Sequence, residues 1–240
     1  LAAWTAAIAC LIQGDMEAAV AGLDAAASRF AAIARPLHAA QTQVPKIMAL
    51  SMLGRHDAAI ACADAAQRLL LAHGDTVAAS KVLLNLGNLQ LHGDRYADAV
   101  PCYREAAVLF AKHGDHEHSV MADIGLADAL AAWGDPNEAA IMYERARMRA
   151  AAHGFPVLAA MADESLAMLL LARGQYREAL AGLESARRAY EALQMPQHVA
   201  IVEKQLAELP AEAPAELKAG IQAKVDAVKD ALKSDDIDAI

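Results

Sequence analysis

The stretch Leu86-Gly87-Asn88-Leu89, followed by Gly93-Asp94-Arg95-Tyr96-Ala97-Asp98-Ala99 and then by Tyr103 and Ala106, decides the fold, because its small residues recur at a fixed interval. Ala99 belongs to the series Ala19, Ala59, Ala99, Ala139 and Ala179, spaced by 40 residues, and Ala106 to the parallel series Ala26, Ala66, Ala106, Ala146 and Ala186. Gly87 belongs to a third, mostly small series: Ala7, Ile47, Gly87, Ala127, Ala167 and Ala207. Leucine precedes four of its members, at Leu86, Leu126, Leu166 and Leu206. Turn signals keep the same phase at Gly14-Asp15, Gly54-Arg55, Gly93-Asp94, Gly134-Asp135 and Gly174-Gln175. A second set falls between them, at Arg35-Pro36, Gly74-Asp75, Gly114-Asp115, Gly154-Phe155-Pro156 and Met195-Pro196. Self-similarity at such a period marks a stacked-repeat architecture.

Each unit reads as helix, turn, helix, turn, with roughly 17 residues per helix once the caps are removed. A glycine after the last helical residue supplies the left-handed position, and Asp75, Asp115 and Asp135 are placed to cap the next helix, with Pro136 at its first position. Composition agrees. Alanine accounts for 62 of 240 residues and aromatics for only 4%. Such a chain favours helix and lacks the branched and aromatic residues of sheets. The register alanines mark where two helices cross closely, since only Ala or Gly leaves the room.

The quoted motif resembles the tetratricopeptide repeat, with its Leu-Gly, Gly-x-Tyr, x-x-Ala, Tyr and Ala positions. Gly174-Gln175-Tyr176-Arg177-Glu178-Ala179-Leu180 with Ala186 resembles it too, as does Gly134 to Ala139 with Tyr143 and Ala146. The resemblance covers residues 1–209 and implies a right-handed α-solenoid of five 40-residue hairpins plus a sixth first helix. It departs from the family pattern in its period of 40 instead of 34, in Lys46 and Ala63 where larger apolar residues belong, and in Gly93, one residue early. A 40-residue period is similar to the long-helix arrays of kinesin light chains, bacterial signalling ATPases and CHAT-protease-associated proteins. HEAT repeats share the length but lack Gly-x-Tyr-x-x-Ala. Residues 210–214, Pro-Ala-Glu-Ala-Pro, read as a linker. From 215 to 240 the chain resembles part of the Hsp70 helical lid, with an apolar stripe at Leu217, Ile221, Val225, Val228 and Leu232. That helix is expected to cap the array or to dock in a groove of its own or a neighbouring copy.

A net charge of −9 argues against a nucleic-acid backbone as partner. Cys10, Cys62 and Cys102 are odd in number and widely spaced, which points to a reducing, cytoplasmic compartment. No apolar run reaches the length of a membrane span. The chain begins at Leu1 within a helical pattern, as a piece of a longer or processed protein would. No phosphate loop, zinc-protease or nucleophile-elbow motif is present, so no enzyme activity and no cofactor are expected. His73, His113 and His153 precede glycines at helix ends, where a partial positive charge complements the helix dipole. His116 and His118 are two residues apart and share no helix face, so His113, Asp115, His116, Glu117 and His118 do not read as a metal site.

The family resemblance implies a concave surface built by the first helices of the units, and by register it assigns the contacts. Those positions are Trp4 and Ile8; Gln41, Val44 and Met48; Lys81, Leu84 and Asn88; Met121, Ile124 and Asp128; Met161, Glu164 and Met168; Ile201, Lys204 and Glu208. Lys81, Asn85 and Asn88 resemble a fragment of a carboxylate clamp whose other members are missing. Methionine dominates the remainder and suits a soft, apolar lining. The expected function is therefore to bind an apolar or amphipathic segment of a partner protein. A regulatory arm of a larger protease or signalling ATPase, or an engineered assembly scaffold, are the alternatives.

Overall fold

Helix–helix connections throughout the described residues use one backbone device. In a computed structural model that describes residues 1–208, a left-handed residue recurs every 20 positions. Gly14, Gly54, Gly74, Gly114, Gly134, Gly154 and Gly174 fill seven of these sites, and Ala34, Asp94 and Gln194 fill the others with φ of 54°, 57° and 56°. At each site the next amide donates to the carbonyl five residues back, as from Asp75 to Leu70, Asp115 to Phe110 and Phe155 to Ala150, at 2.8–2.9 Å. The amide of the left-handed residue itself bonds three residues back, so that each helix end closes as a Schellman motif. The residue after the left-handed site then starts the next helix. Asp15, Asp75, Asp115 and Asp135 accept from the amides of Ala18, Ala78, His118 and Glu138 at 3.0–3.2 Å, which are the expected caps plus Asp15.

Gly93 corrects the sequence reading. It ends its helix with φ −94°, and Asp94 takes the left-handed conformation, so the turn keeps its phase and only the residue type has slipped.

The helices are α1 Ala2–Ile12, α2 Met16–Ala32, α3 Pro36–Met52, α4 His56–Ala72, α5 Thr76–His92, α6 Tyr96–Lys112, α7 His116–Trp133, α8 Pro136–Ala152, α9 Pro156–Ala172, α10 Tyr176–Ala192 and α11 Pro196–Ala207. No strand occurs among the described residues. Among the described residues the fold is all-α, eleven helices in repeated helical hairpins, as the repeat implied. The Pro/Ala linker and the apolar stripe of 215–240 lie outside the described residues.

Two compact units divide the chain, Leu1–Met142 and Tyr143–Ile240, with the boundary inside α8. In the first unit, α1 to α7 pack in sequence, and the first helices also touch one another, α1 with α3, α3 with α5 and α5 with α7. Ala40, Ile47, Leu50, Ala59, Ala66, Leu70, Val82 and Leu89 form one of its cores. In the second unit α9 packs on α10 and α10 on α11 around Ala167, Leu171, Leu183, Ala186, Tyr190 and Val202. All ten alanines of the two main series are buried, none more than 2% exposed. Their role is steric. A methyl group at each closest approach brings helices near enough for the flanking leucines and aromatics to interdigitate.

Candidate partner-binding face

Residues seven apart on a helix share a face, so Gln41 with Met48, Lys81 with Asn88, Met121 with Asp128 and Met161 with Met168 each line one side of a first helix. The structure keeps the methionines there in contact with solvent: Met48, Met121, Met161 and Met168 are 38–41% exposed. Leu84 and Ile124, assigned to the same face by register, are only 7% and 6% exposed and belong to the packing beneath it. Val44 is half-buried against the first-unit core, and Trp4, also half-buried, sits edge-to-face on Phe30 with centroids 5.9 Å apart.

In the first unit the polar residues of α3, α5 and α7 fasten the helices together. Gln41 Nε2 donates to Asp75 Oδ2 at 2.7 Å, and Asn85 Nδ2 reaches the Val44 carbonyl of the neighbouring first helix at 3.3 Å. Tyr103, fully buried on α6, donates its hydroxyl to Asn88 Oδ1 at 2.6 Å. Its ring lies between α5 and α7, which both present glycine to it. A Cβ added at Gly87 would fall 2.9 Å from the ring, and one at Gly125 would overlap it outright. Burial, with Asp128 nearby, pushes the Tyr103 pKa up, so it remains a donor at every physiological pH.

The clamp-like trio thus divides its work. Asn85 ties α5 to α3, Asn88 is oriented from below by Tyr103, and Lys81 lies close enough to Asp115 to help lower that carboxyl's pKa. Only Asn88 retains an exposed amide of defined orientation. Tyr103 was not legible as a site residue. Its sequence signal was that of the motif tyrosine alone, at a position occupied by Leu23, Ala63, Tyr143 and Leu183 in the other units.

In the second unit Glu164 has a bridging role. It accepts from Tyr190 and from Gln205, each at 2.9 Å, and so joins α9 to α10 and α11. Beside it Asp163 accepts from Ser185 at 3.2 Å and pairs with Arg147 at 3.4 Å; burial keeps its pKa raised despite that guanidinium. The exposed surface here is Met161 and Met168 on α9 with Ile201 and Lys204 on α11, where Lys204 lies 3.9 Å from Glu208. No group of three or more His, Cys, Asp or Glu among the described residues could hold a metal ion. No described helix is long and apolar enough to cross a membrane.

Residues 78–150 match the tetratricopeptide repeat family. No curated protein sequence matches the chain. In fold the chain is similar to the nearly identical TPR-like repeats of a Podosopora anserina protein assigned to the kinesin light chains, with a TM-score of 0.66, 18% identity, and coverage of 80% of this chain and 95% of that one. It is similar to a signal transduction ATPase of the STAND class with a tetratricopeptide repeat sensor from Pyrococcus horikoshii, with a TM-score of 0.79 and 15% identity over 98% of this chain and 36% of that one. It is also similar to the Rap conjugation gene regulator of plasmid pLS20 in complex with the Phr* peptide, at TM-score 0.70 and 14% identity over 93% and 62% of the two chains. At these identities the likeness is one of fold. The chain spans about a third of the STAND protein and under two thirds of the Rap regulator.

Proposed function

We propose that these tetratricopeptide repeats hold an apolar or amphipathic segment of a partner protein on the exposed face of their first helices. One observation carries the reading: Met48 and Met121 in the first unit and Met161 and Met168 in the second stay about 40% exposed on their first helices, while Leu84 and Ile124 are buried. Methionine is unbranched and polarisable, and it adapts to side chains of varied shape. Asn88, fixed by Tyr103, supplies a directional polar contact within this soft lining. An amphipathic segment meets both demands. The peptide complex of the Rap regulator supports the reading by analogy of fold. A cytoplasmic setting suits the unpaired Cys10, Cys62 and Cys102; burial raises the Cys62 pKa and pushes that of Cys102 up to about 11, so both stay protonated.

Titration of fluorescently labelled synthetic peptides tests the proposal. Amphipathic peptides should bind with saturable anisotropy changes, and scrambled sequences of the same composition should bind much more weakly. Equal affinity for both would leave no oriented face and would end the proposal. A second reading, a sensor arm that gates an enzyme, is favoured by the likeness to the STAND sensor. It predicts that a catalytic domain encoded beside these repeats changes its rate when the same peptides bind.

A further inference from the structure

Sulfur in this chain occupies two kinds of surroundings. Of nine methionines, Met48, Met52, Met121, Met148, Met161 and Met168 have exposed side chains, at 38–64%, while Met16, Met142 and Met195 are half-buried. The three cysteines are half-buried as well. Cys62 and Cys102 both pack against the first-unit core, and the Cys62 thiol donates to Gln43 Oε1 at 3.4 Å. A thiol attacks a peroxide as its thiolate, whereas a thioether has no proton to lose and reacts as it stands. Burial holds the proton on both of these cysteines, with the Cys102 pKa pushed up to about 11. Access and charge state therefore direct an oxidant past the thiols to the exposed methionines.

We propose that Met48 and Met121 in the first unit and Met161 and Met168 in the second are sites of reversible oxidation by hydroperoxides, and that their sulfoxides release the bound segment. The release rests on the reading of these residues as the partner-binding face. In the step, a lone pair of the thioether sulfur attacks one peroxide oxygen; an S–O bond forms, the O–O bond breaks, and hydrogen peroxide leaves as water. Sulfur is oxidised by two electrons and the peroxide is reduced by the same two. The product is a polar side chain in place of a flexible apolar one. An apolar segment lying over it would strip the sulfoxide oxygen of water and offer no donor in return. In the unbound chain that oxygen stays hydrated, because each of the four side chains is 38–41% exposed, so the fold survives the change. Met52, the last residue of α3, and Met148, on the second helix α8, are more exposed still but lie outside the proposed contact set. They are internal controls, oxidisable without consequence for binding.

Titration of the full chain with hydrogen peroxide tests this, read by peptide-mapping mass spectrometry and by the anisotropy of a labelled amphipathic peptide. Met48, Met121, Met161 and Met168 should each gain one oxygen before Met16, Met142, Met195 and the cysteines do, with the helical circular dichroism unchanged. Peptide affinity should fall roughly tenfold or more over the same titration, and methionine sulfoxide reductase should restore it. The Met52→Leu, Met148→Leu double variant should show the same fall. The quadruple variant Met48→Leu, Met121→Leu, Met161→Leu, Met168→Leu, whatever its own affinity, should show none. An untreated chain that binds no peptide would overturn the reading of the face and the release with it. A chain that binds and keeps its affinity with the four sulfoxides in place would overturn the proposal alone, as would cysteine oxidation running ahead of the methionines.

Discussion

Three residues sit where the backbone wants glycine. Ala34, Asp94 and Gln194 adopt positive φ at sites that glycine fills elsewhere in the chain. The left-handed conformation costs an L-residue about 1–2 kcal/mol, partly offset by the greater entropy that glycine loses on folding. Ala34→Gly and Gln194→Gly should each stabilise the chain by about 0.5–1 kcal/mol, read as a rise in the urea midpoint, whereas Gly74→Ala should cost a similar amount. Gly125 is constrained by packing instead. Gly125→Ala should destabilise by about 1–3 kcal/mol because the new methyl overlaps the Tyr103 ring, and the loss should shrink markedly when Tyr103→Leu is present. Full additivity in that double-mutant cycle would show that the ring and the glycine are not coupled. The turn glycines were legible in the sequence, but the exceptions were not. Asp94 beside Gly93 shows why: the phase of the repeat, and not the nearest glycine, decides which residue turns.

Helix ends and helix crossings set the energetics of each element. Asp115 is half-exposed and caps α7; burial works to raise its pKa, but hydrogen bonds from the His118 backbone and ring prevail and lower it. A carboxylate whose folded pKa is depressed contributes stability above the unfolded value of 3.8 and loses it as pH falls through the folded value. Asp115→Ala should therefore cost about 1 kcal/mol at neutral pH, and the gap between variant and parent should narrow in thermal melts as the pH falls below 3.8. At the crossings, Ala106→Leu should cost about 1–3 kcal/mol by overpacking a fully buried site. Tolerance of that change would mean the repeat register is misplaced. The sequence disclosed the alanine rows but not a second histidine series. His38, His118 and His198, spaced by 80 residues, lie against Phe30, Phe110 and Tyr190 with centroids 4.9–5.3 Å apart. The 40-residue period hides them because the intervening units carry Ala78 and Leu158 there.

At the scale of the whole molecule, the exposed methionines are the feature on which the proposed partner binding rests. Met121→Glu combined with Met168→Glu places a charge on the proposed face of each unit without entering either core. The double variant should melt within a few degrees of the parent while peptide affinity falls by roughly tenfold or more, which corresponds to about 1.4 kcal/mol. Unchanged affinity, measured by the same anisotropy titration, would show that the peptide binds elsewhere.

The sequence by itself determined the architecture, because a hairpin that must stack on a copy of itself needs small residues at the same places each time. Ten buried alanines and a left-handed residue every 20 positions are that requirement written into the chain. Only the tertiary structure decided which residues of the first helices are open to solvent. The family register assigns Leu84 and Met121 alike to the contact set, at its second and first positions, yet one is buried under its neighbours and the other is open to solvent. Asn85, Asn88 and Glu164 look alike as polar surface residues, but two of them bridge helices and one is held outward by a buried tyrosine. Periodicity fixes where a side chain leaves its own helix; the packing of neighbouring helices fixes whether anything else can reach it.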